Sequence, residues 1–305
     1  LRWQSYDYVV TANSLGFPGP EPSQDITSEK FRILVTGDAF TSAEGVNTDQ
    51  AWPRLLENKL NAKIIGKKVE VLNFAITGYG PNQYQAVIEE FAPKYRPDLI
   101  IVETFVNDFQ DVLRSDDEFR NSIGFGQPSA VGVKSILRLE HLRRWMDLKL
   151  TEPIEERVIS QFPSQSYFLG NFKSLERGHP EVQNEATELF ASRLQMIKSS
   201  ADQQGAEVIV VMVPAPVQVC TPSQLAYYPK NVDLSDGTKF DIDLPQRLMG
   251  ELTTRYNVPF YDLRDAFSET GGYCPYQQHN MHWTVNGHQI VSDYIANVLI
   301  NKYVH

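Results

Sequence analysis

The sequence predicts a three-layer α/β/α sandwich around a five-stranded parallel sheet, and three observations carry that prediction. Short apolar runs alternate with longer helical patterns along the 305 residues, which is how βαβ units read. Most of these runs halt near Gly, Pro, Asn or Asp, residues that close strands. The composition, 42% hydrophobic and 22% charged, is that of a chain able to bury a sizeable core.

The elements follow in order. Residues 31–36, 69–74, 99–104, 207–213 and 259–261 are the expected strands, each rich in Val, Ile, Leu or aromatics. Helices are expected over 50–60, 82–92, 185–203, 244–256 and 285–302, with Asp49 capping the first and Thr284 the last. Crossovers between the parallel strands should be right-handed. Two regions fall outside the rhythm. Residues 1–30 hold Tyr8-Val9-Val10 and a Gly/Pro-rich NSLGFPGPEP turn, expected to pack on the flank of a domain spanning 31–305. Residues 109–184 form a long insertion after the third strand. Within it Ile136, Leu139, Leu142, Trp145, Met146 and Leu150 recur at helical spacing, with Lys134, Arg138, Arg143, Arg144 and Lys149 around the rest of the turn. That pattern reads as a helix buried on one side with a solvated basic face.

Charge and composition exclude several function classes. A formal net charge of -10 argues against nucleic acid as a partner, because tracking phosphates needs a basic surface. It also weakens any reading as a binder of anionic membranes. No apolar run approaches the ~20 residues that span a bilayer. The start at Leu1-Arg2-Trp3 reads as a mature or trimmed form, so secretion or periplasmic export, with or without a membrane anchor, is expected through a removed N-terminal segment. Cys220 and Cys274 are two buried thiols or one disulfide; both lie in loops expected at the same sheet edge, and a bond would imply an oxidising compartment.

In open α/β sheets ligands bind beyond the carboxyl ends of strands, so chemistry is sought in the loops that follow them. After the first strand comes Gly37-Asp38-Ala39-Phe40-Thr41-Ser42. After the second comes Asn73-Phe74-Ala75-Ile76-Thr77-Gly78-Tyr79-Gly80. After the third comes Phe105-Val106-Asn107-Asp108. His279-Asn280-Met281-His282-Trp283-Thr284 opens the last helix. All four loops should converge on one rim.

In order and spacing, these stretches resemble the four blocks of the SGNH/GDSL hydrolase superfamily: GDS, an Asn-x-x-x-x-Gly turn, GxND, and DxxH or DxH. The likeness runs from about Phe31 to the C-terminus, and the NSLGF segment resembles the lead-in of bacterial secreted or membrane-anchored members. It implies a flavodoxin-like SGNH fold, no cofactor, and an esterase or deacylase working through an acyl-enzyme on a small-molecule, glycan or lipid ester. Ala39 then occupies the position of the nucleophilic serine, and His282 that of the base. The oxyanion donors are assigned to the backbone N–H of Ala39, the backbone N–H of Gly78 and the side-chain amide of Asn107. An amide donates without bringing charge, and a glycine lets backbone approach a ligand closely.

Three departures stand out. Phe105 replaces the usual Gly of the third block. Ala39 has no hydroxyl and cannot attack a carbonyl. Asn280 or His279 stands where the family places the acid that orients the base, and an Asn accepts a hydrogen bond without supplying charge. Ser42 reads as structural, three residues past the elbow. His279, His282 and His288 share no familiar metal-ligand spacing, and no metal is expected. The chain is therefore read as an ester hydrolase carrying a Ser-to-Ala replacement, with a native pseudoenzyme binding an acylated glycan or lipid, or an acyltransferase, as the alternatives. Tyr79, Phe105, Tyr227, Tyr228, Tyr273, Tyr276 and Trp283 are candidates for the walls of its pocket, together with loops 214–243 and 264–281.

Overall fold

Five parallel strands make the sheet: β1 (Lys30–Thr36), β2 (Lys68–Asn73), β3 (Leu99–Phe105), β4 (Glu207–Val213) and β5 (Phe260–Asp262). They lie in the order β2-β1-β3-β4-β5. All seven residues of β3 are buried, as expected of a central strand covered on both faces. Val35 pairs with Ile101 on one side of it, and Glu103 pairs with Val211 on the other. The computed structural model describes residues 8–24, 29–63, 67–113, 173–178, 180–228, 232–268 and 270–303.

The helices are α1 (Trp52–Lys63), α2 (Pro81–Tyr95), α3 (Asp108–Asp111), α4 (Pro180–Gln204), α5 (Pro216–Val219), α6 (Leu244–Arg255), α7 (Arg264–Ser268) and α8 (Val285–Tyr303). α1 packs against α8, while α2 packs against α4, which in turn meets α6. The result is the α/β/α sandwich that the alternation of apolar runs predicts. Every expected strand is present within a residue of its expected bounds.

The differences have local causes. α1 begins at Trp52, because Asp49 sits inside a preceding 3-10 turn, Thr48–Gln50, and does not cap the helix. The leading N–H of α1, on Trp52, is taken instead by Nδ1 of buried His288 on α8, at 3.3 Å, a tertiary partner that no local pattern reveals. α2 runs through Pro93 to Tyr95, since a proline late in a helix forfeits one hydrogen bond without forcing the chain to leave. Thr284 does cap α8: its Oγ1 accepts from Gly287 N at 3.1 Å. The segment before it does not open the helix. Asn280–Trp283 is a strand, β7, paired antiparallel with β6 (Tyr276–Gln277).

In the N-terminal segment Phe17 is buried, edge-on to Phe74 at 4.9 Å and to Phe91 at 5.5 Å. Arg32, 2% exposed, binds this segment to the sheet through Glu70 at 2.9 Å and the carbonyls of Ser23 and Tyr95, each at 2.8 Å. α3 and the first turns of α4 fall inside the expected insertion; the helix expected over 134–150 lies outside the described residues.

Candidate active site

The loop after β1 is shaped by its own backbone and by one buried carboxyl. Thr41 N and Ser42 N both donate to the Asp38 carbonyl, at 3.2 and 2.9 Å, and Glu44 N donates to the Ala39 carbonyl at 3.1 Å. Glu103, on central β3, accepts from Asp38 N at 3.0 Å and from the Thr41 hydroxyl at 2.9 Å. Gly37 is obligatory here, since a Cβ would stand 2.3 Å from Glu103 Oε2. The Asp38 side chain turns back to accept Phe40 N–H at 2.9 Å. Ala39 is thereby held at the tip, 6% exposed.

Side chains tie the second loop to the first. Asn73 Nδ2 donates to the Thr41 carbonyl at 2.9 Å, and its Oδ1 accepts from Ala75 N at 3.1 Å. The Ser42 and Thr77 hydroxyls meet at 2.9 Å, and Thr77 donates to Glu44 at 3.0 Å. Because a hydroxyl has one proton, Ser42 must be the donor in that first contact. Ser42 is thus a structural strut, as its position past the elbow predicts. Gly78, next in line, is exposed at φ +86°, a conformation costing an ordinary L-residue about 1–2 kcal/mol.

The third loop brings Asn107, whose Nδ2 donates to Asp111 Oδ2 at 2.8 Å. Phe105 closes β3 with its ring 4.9 Å from that of Phe40. Its bulk fills the core beneath the site without displacing Asn107 from the loop.

The hairpin β6–β7 carries His282. Its Nδ1 lies 2.6 Å from Asn280 Oδ1, and its own backbone N–H donates to the same oxygen at 2.9 Å. A backbone N–H donates only to an acceptor, so the atom is the amide oxygen and not the nitrogen. Nδ1 therefore carries the imidazole proton, and Nε2 is the unprotonated nitrogen of the neutral ring. Asn280, not His279, orients His282; His279 is exposed in the turn between the two strands. The Phe40 ring, beside Ala39, lies 5.4 Å from the His282 ring, which brings the first and fourth loops together. His288 belongs to the core, edge-on to Trp283 at 5.4 Å, with burial lowering its pKa to about 3.

Several expected wall residues lie elsewhere. Phe105, Tyr276 and Trp283 are buried around Phe40. Tyr79, Tyr227 and Tyr228 are half-buried, and Tyr273 is exposed. Tyr227 donates from its hydroxyl to the Asn280 carbonyl at 3.2 Å. Cys220 and Cys274 are bonded, so loops 214–243 and 264–281 are covalently joined just ahead of the His282 hairpin.

A set of buried carboxyls, Asp38, Glu103 and Asp108, accompanies these loops without a motif to mark it in the sequence. Desolvation raises the pKa of Asp38 to about 7. It drives Glu103 and Asp108 well above the ordinary carboxylate range, with repulsion from Asp38 adding to each. A buried ionised carboxylate without a cation is costly, and that cost is the main cause of these upward shifts. The one available signal was an acid, Glu103, inside the otherwise apolar run LIIVETF.

Residues 35–290 match the model of the GDSL-like Lipase/Acylhydrolase family. Among solved structures, LAE5, an alpha/beta hydrolase enzyme from the metagenome of Lake Arreo, Spain, is 13% identical with a TM-score of 0.50, covering 88% of this chain and 94% of that one. A catalytic mutant of Axe2, an acetylxylan esterase from Geobacillus stearothermophilus, is 14% identical at TM-score 0.49, covering 90% and 95%. The psychrotrophic esterase EstA from Pseudoalteromonas sp. is 11% identical at TM-score 0.48, covering 90% and 99%. At these identities the likeness to LAE5 speaks for the fold alone. No curated protein sequence matches the chain. With a family match spanning most of its length and the four loops gathered at one sheet edge, the chain belongs to the GDSL-like lipase/acylhydrolase family, within the SGNH/GDSL hydrolases.

Proposed function

We propose that this chain is an SGNH-type ester hydrolase working through an acyl-enzyme, held inactive because alanine stands at position 39 where the serine nucleophile belongs. The observation that carries the reading is the His282–Asn280 contact at 2.6 Å. It leaves Nε2 unprotonated on a ring packed close to the Ala39 loop, which is the state a general base requires. With serine at 39, Nε2 takes the hydroxyl proton as Oγ attacks the ester carbonyl, then returns it to the departing alcohol. Water repeats the cycle on the acyl-enzyme. The oxyanion is stabilised by the N–H groups of residue 39 and Gly78 and by the Asn107 amide.

The substrate is a small-molecule, glycan or lipid ester, and an acceptor hydroxyl in place of water would make the same residues an acyltransferase. The Cys220–Cys274 bond supports a secreted or periplasmic setting, since such bonds persist in oxidising compartments. A second reading, a native pseudoenzyme that binds an acylated glycan or lipid, is favoured by Asn280: two departures then fall within one triad. The codon for residue 39 in the native gene separates these two readings. The acyl-enzyme itself is tested by treating Ala39→Ser with a fluorophosphonate. A single adduct on residue 39, absent from the Ala39 chain, is expected; an unlabelled, folded Ala39→Ser variant overturns the mechanism.

A further inference from the structure

We propose that Asp111 is a positioning residue for the oxyanion hole: it locks the Asn107 amide with its nitrogen in the donor position, and the bare backbone of Gly80 makes room for it. The inference rests on the oxyanion role proposed for Asn107.

An asparagine amide rotated by half a turn exchanges a two-proton donor for an acceptor of nearly the same shape. In an oxyanion hole that exchange is ruinous, because a carbonyl oxygen would repel the charge it is meant to stabilise. Asn107 needs something to choose between the two orientations. Its Oδ1 is buried and has no hydrogen-bond partner among the described residues, so no donor pins it from that side. The choice falls to Asp111 Oδ2, 2.8 Å from Asn107 Nδ2. A carboxyl oxygen that carries no proton only accepts; against such an oxygen the flipped amide would set oxygen against oxygen. One N–H of Asn107 is spent on this contact, and the second remains for the site.

Gly80 supplies an independent observation. Its backbone is extended, φ −142° and ψ −169°, a conformation open to any residue, so torsion does not explain the glycine. Space does: a Cβ there would lie 3.1 Å from Asp111 Cβ and 4.0 Å from Asp108 Oδ1. Asp111 therefore sits wedged between the end of the Gly78 loop and the Asn107 loop, at the joint between two of the three proposed donors.

Two measurements test this. In the Ala39→Ser enzyme acting on p-nitrophenyl butyrate, Asp111→Ala should lower kcat roughly tenfold, short of the ~100–1000-fold loss from deleting a donor outright. KM should stay within about twofold, the mark of an interaction made only in the transition state. Asp111→Asn, which accepts but can itself flip, should fall between, and Gly80→Ala should reproduce the kcat loss by displacing Asp111. In the Ala39 chain, 15N-edited NMR reads the two Nδ2 protons of Asn107 without any turnover; Asp111→Ala should move one of them upfield. An unmoved proton pair overturns the proposal, as does a kcat unchanged by both Asp111→Ala and Gly80→Ala in an active Ala39→Ser enzyme. Should Ala39→Ser show no esterase activity, the functional reading fails, and the NMR result alone decides whether Asp111 orients the amide.

Discussion

In the proposed mechanism Asn280 is the residue whose chemistry most limits the site. It gives His282 the correct tautomer through a 2.6 Å contact, but it cannot offer the negative charge that stabilises an imidazolium. In the Ala39→Ser background Asn280→Asp should therefore raise kcat roughly tenfold or more while leaving KM nearly unchanged; steady-state kinetics on a p-nitrophenyl ester check this. Gly78 is constrained differently. At φ +86° Gly78→Ala should lower unfolding free energy by about 1–2 kcal/mol, measured by urea denaturation. Gly37 is a third case, in which the missing Cβ is demanded by Glu103 Oε2 and not by torsion.

Among the elements, the β6–β7 hairpin decides how His282, the proposed base, is presented, and the Cys220–Cys274 bond anchors the chain just before it. That bond joins cysteines 54 residues apart. In the loop-entropy account a closure of this length stabilises by about 4 kcal/mol, less where the reduced chain keeps structure. Replacing both cysteines with serine should lower stability by about 2–4 kcal/mol, checked by denaturation of both forms with and without reductant. This hairpin was also the element least legible in the sequence. Its strands are two and four residues long, too short for a period-2 pattern, and they run directly into the strong helical pattern of α8. The five sheet strands were legible because burial on both faces leaves continuous apolar runs. The four site loops were legible because their motifs stand at the ends of apolar runs or at the start of a helical pattern. Asp111 and Glu103 were not, since their roles come from loops that only the fold brings beside them.

At the scale of the whole molecule, two buried titrating groups oppose each other. Asp38 has its pKa raised from 3.8 to about 7, so the folded state binds that proton more tightly. Its stabilising effect is complete below 3.8 and is lost as pH rises toward 7. His288 is lowered from 6.5 to about 3; its contribution is complete above 6.5 and is lost as pH falls toward 3. Between 3.8 and 6.5 the two slopes act in opposite directions, and single substitutions separate them. Relative to the parent, Asp38→Asn should gain stability as pH rises from about 4 to 7, and His288→Asn should gain as pH falls from about 6.5 to 3. Urea denaturation at stepped pH reads both. The central claim is simpler: the fold carries a prepared acyl-transfer site lacking one oxygen. Its direct measurement is hydrolysis of p-nitrophenyl acetate and butyrate by Ala39→Ser. The account predicts turnover well above that of the Ala39 chain, abolished again by His282→Ala; a folded Ala39→Ser protein no more active than the Ala39 chain would contradict it.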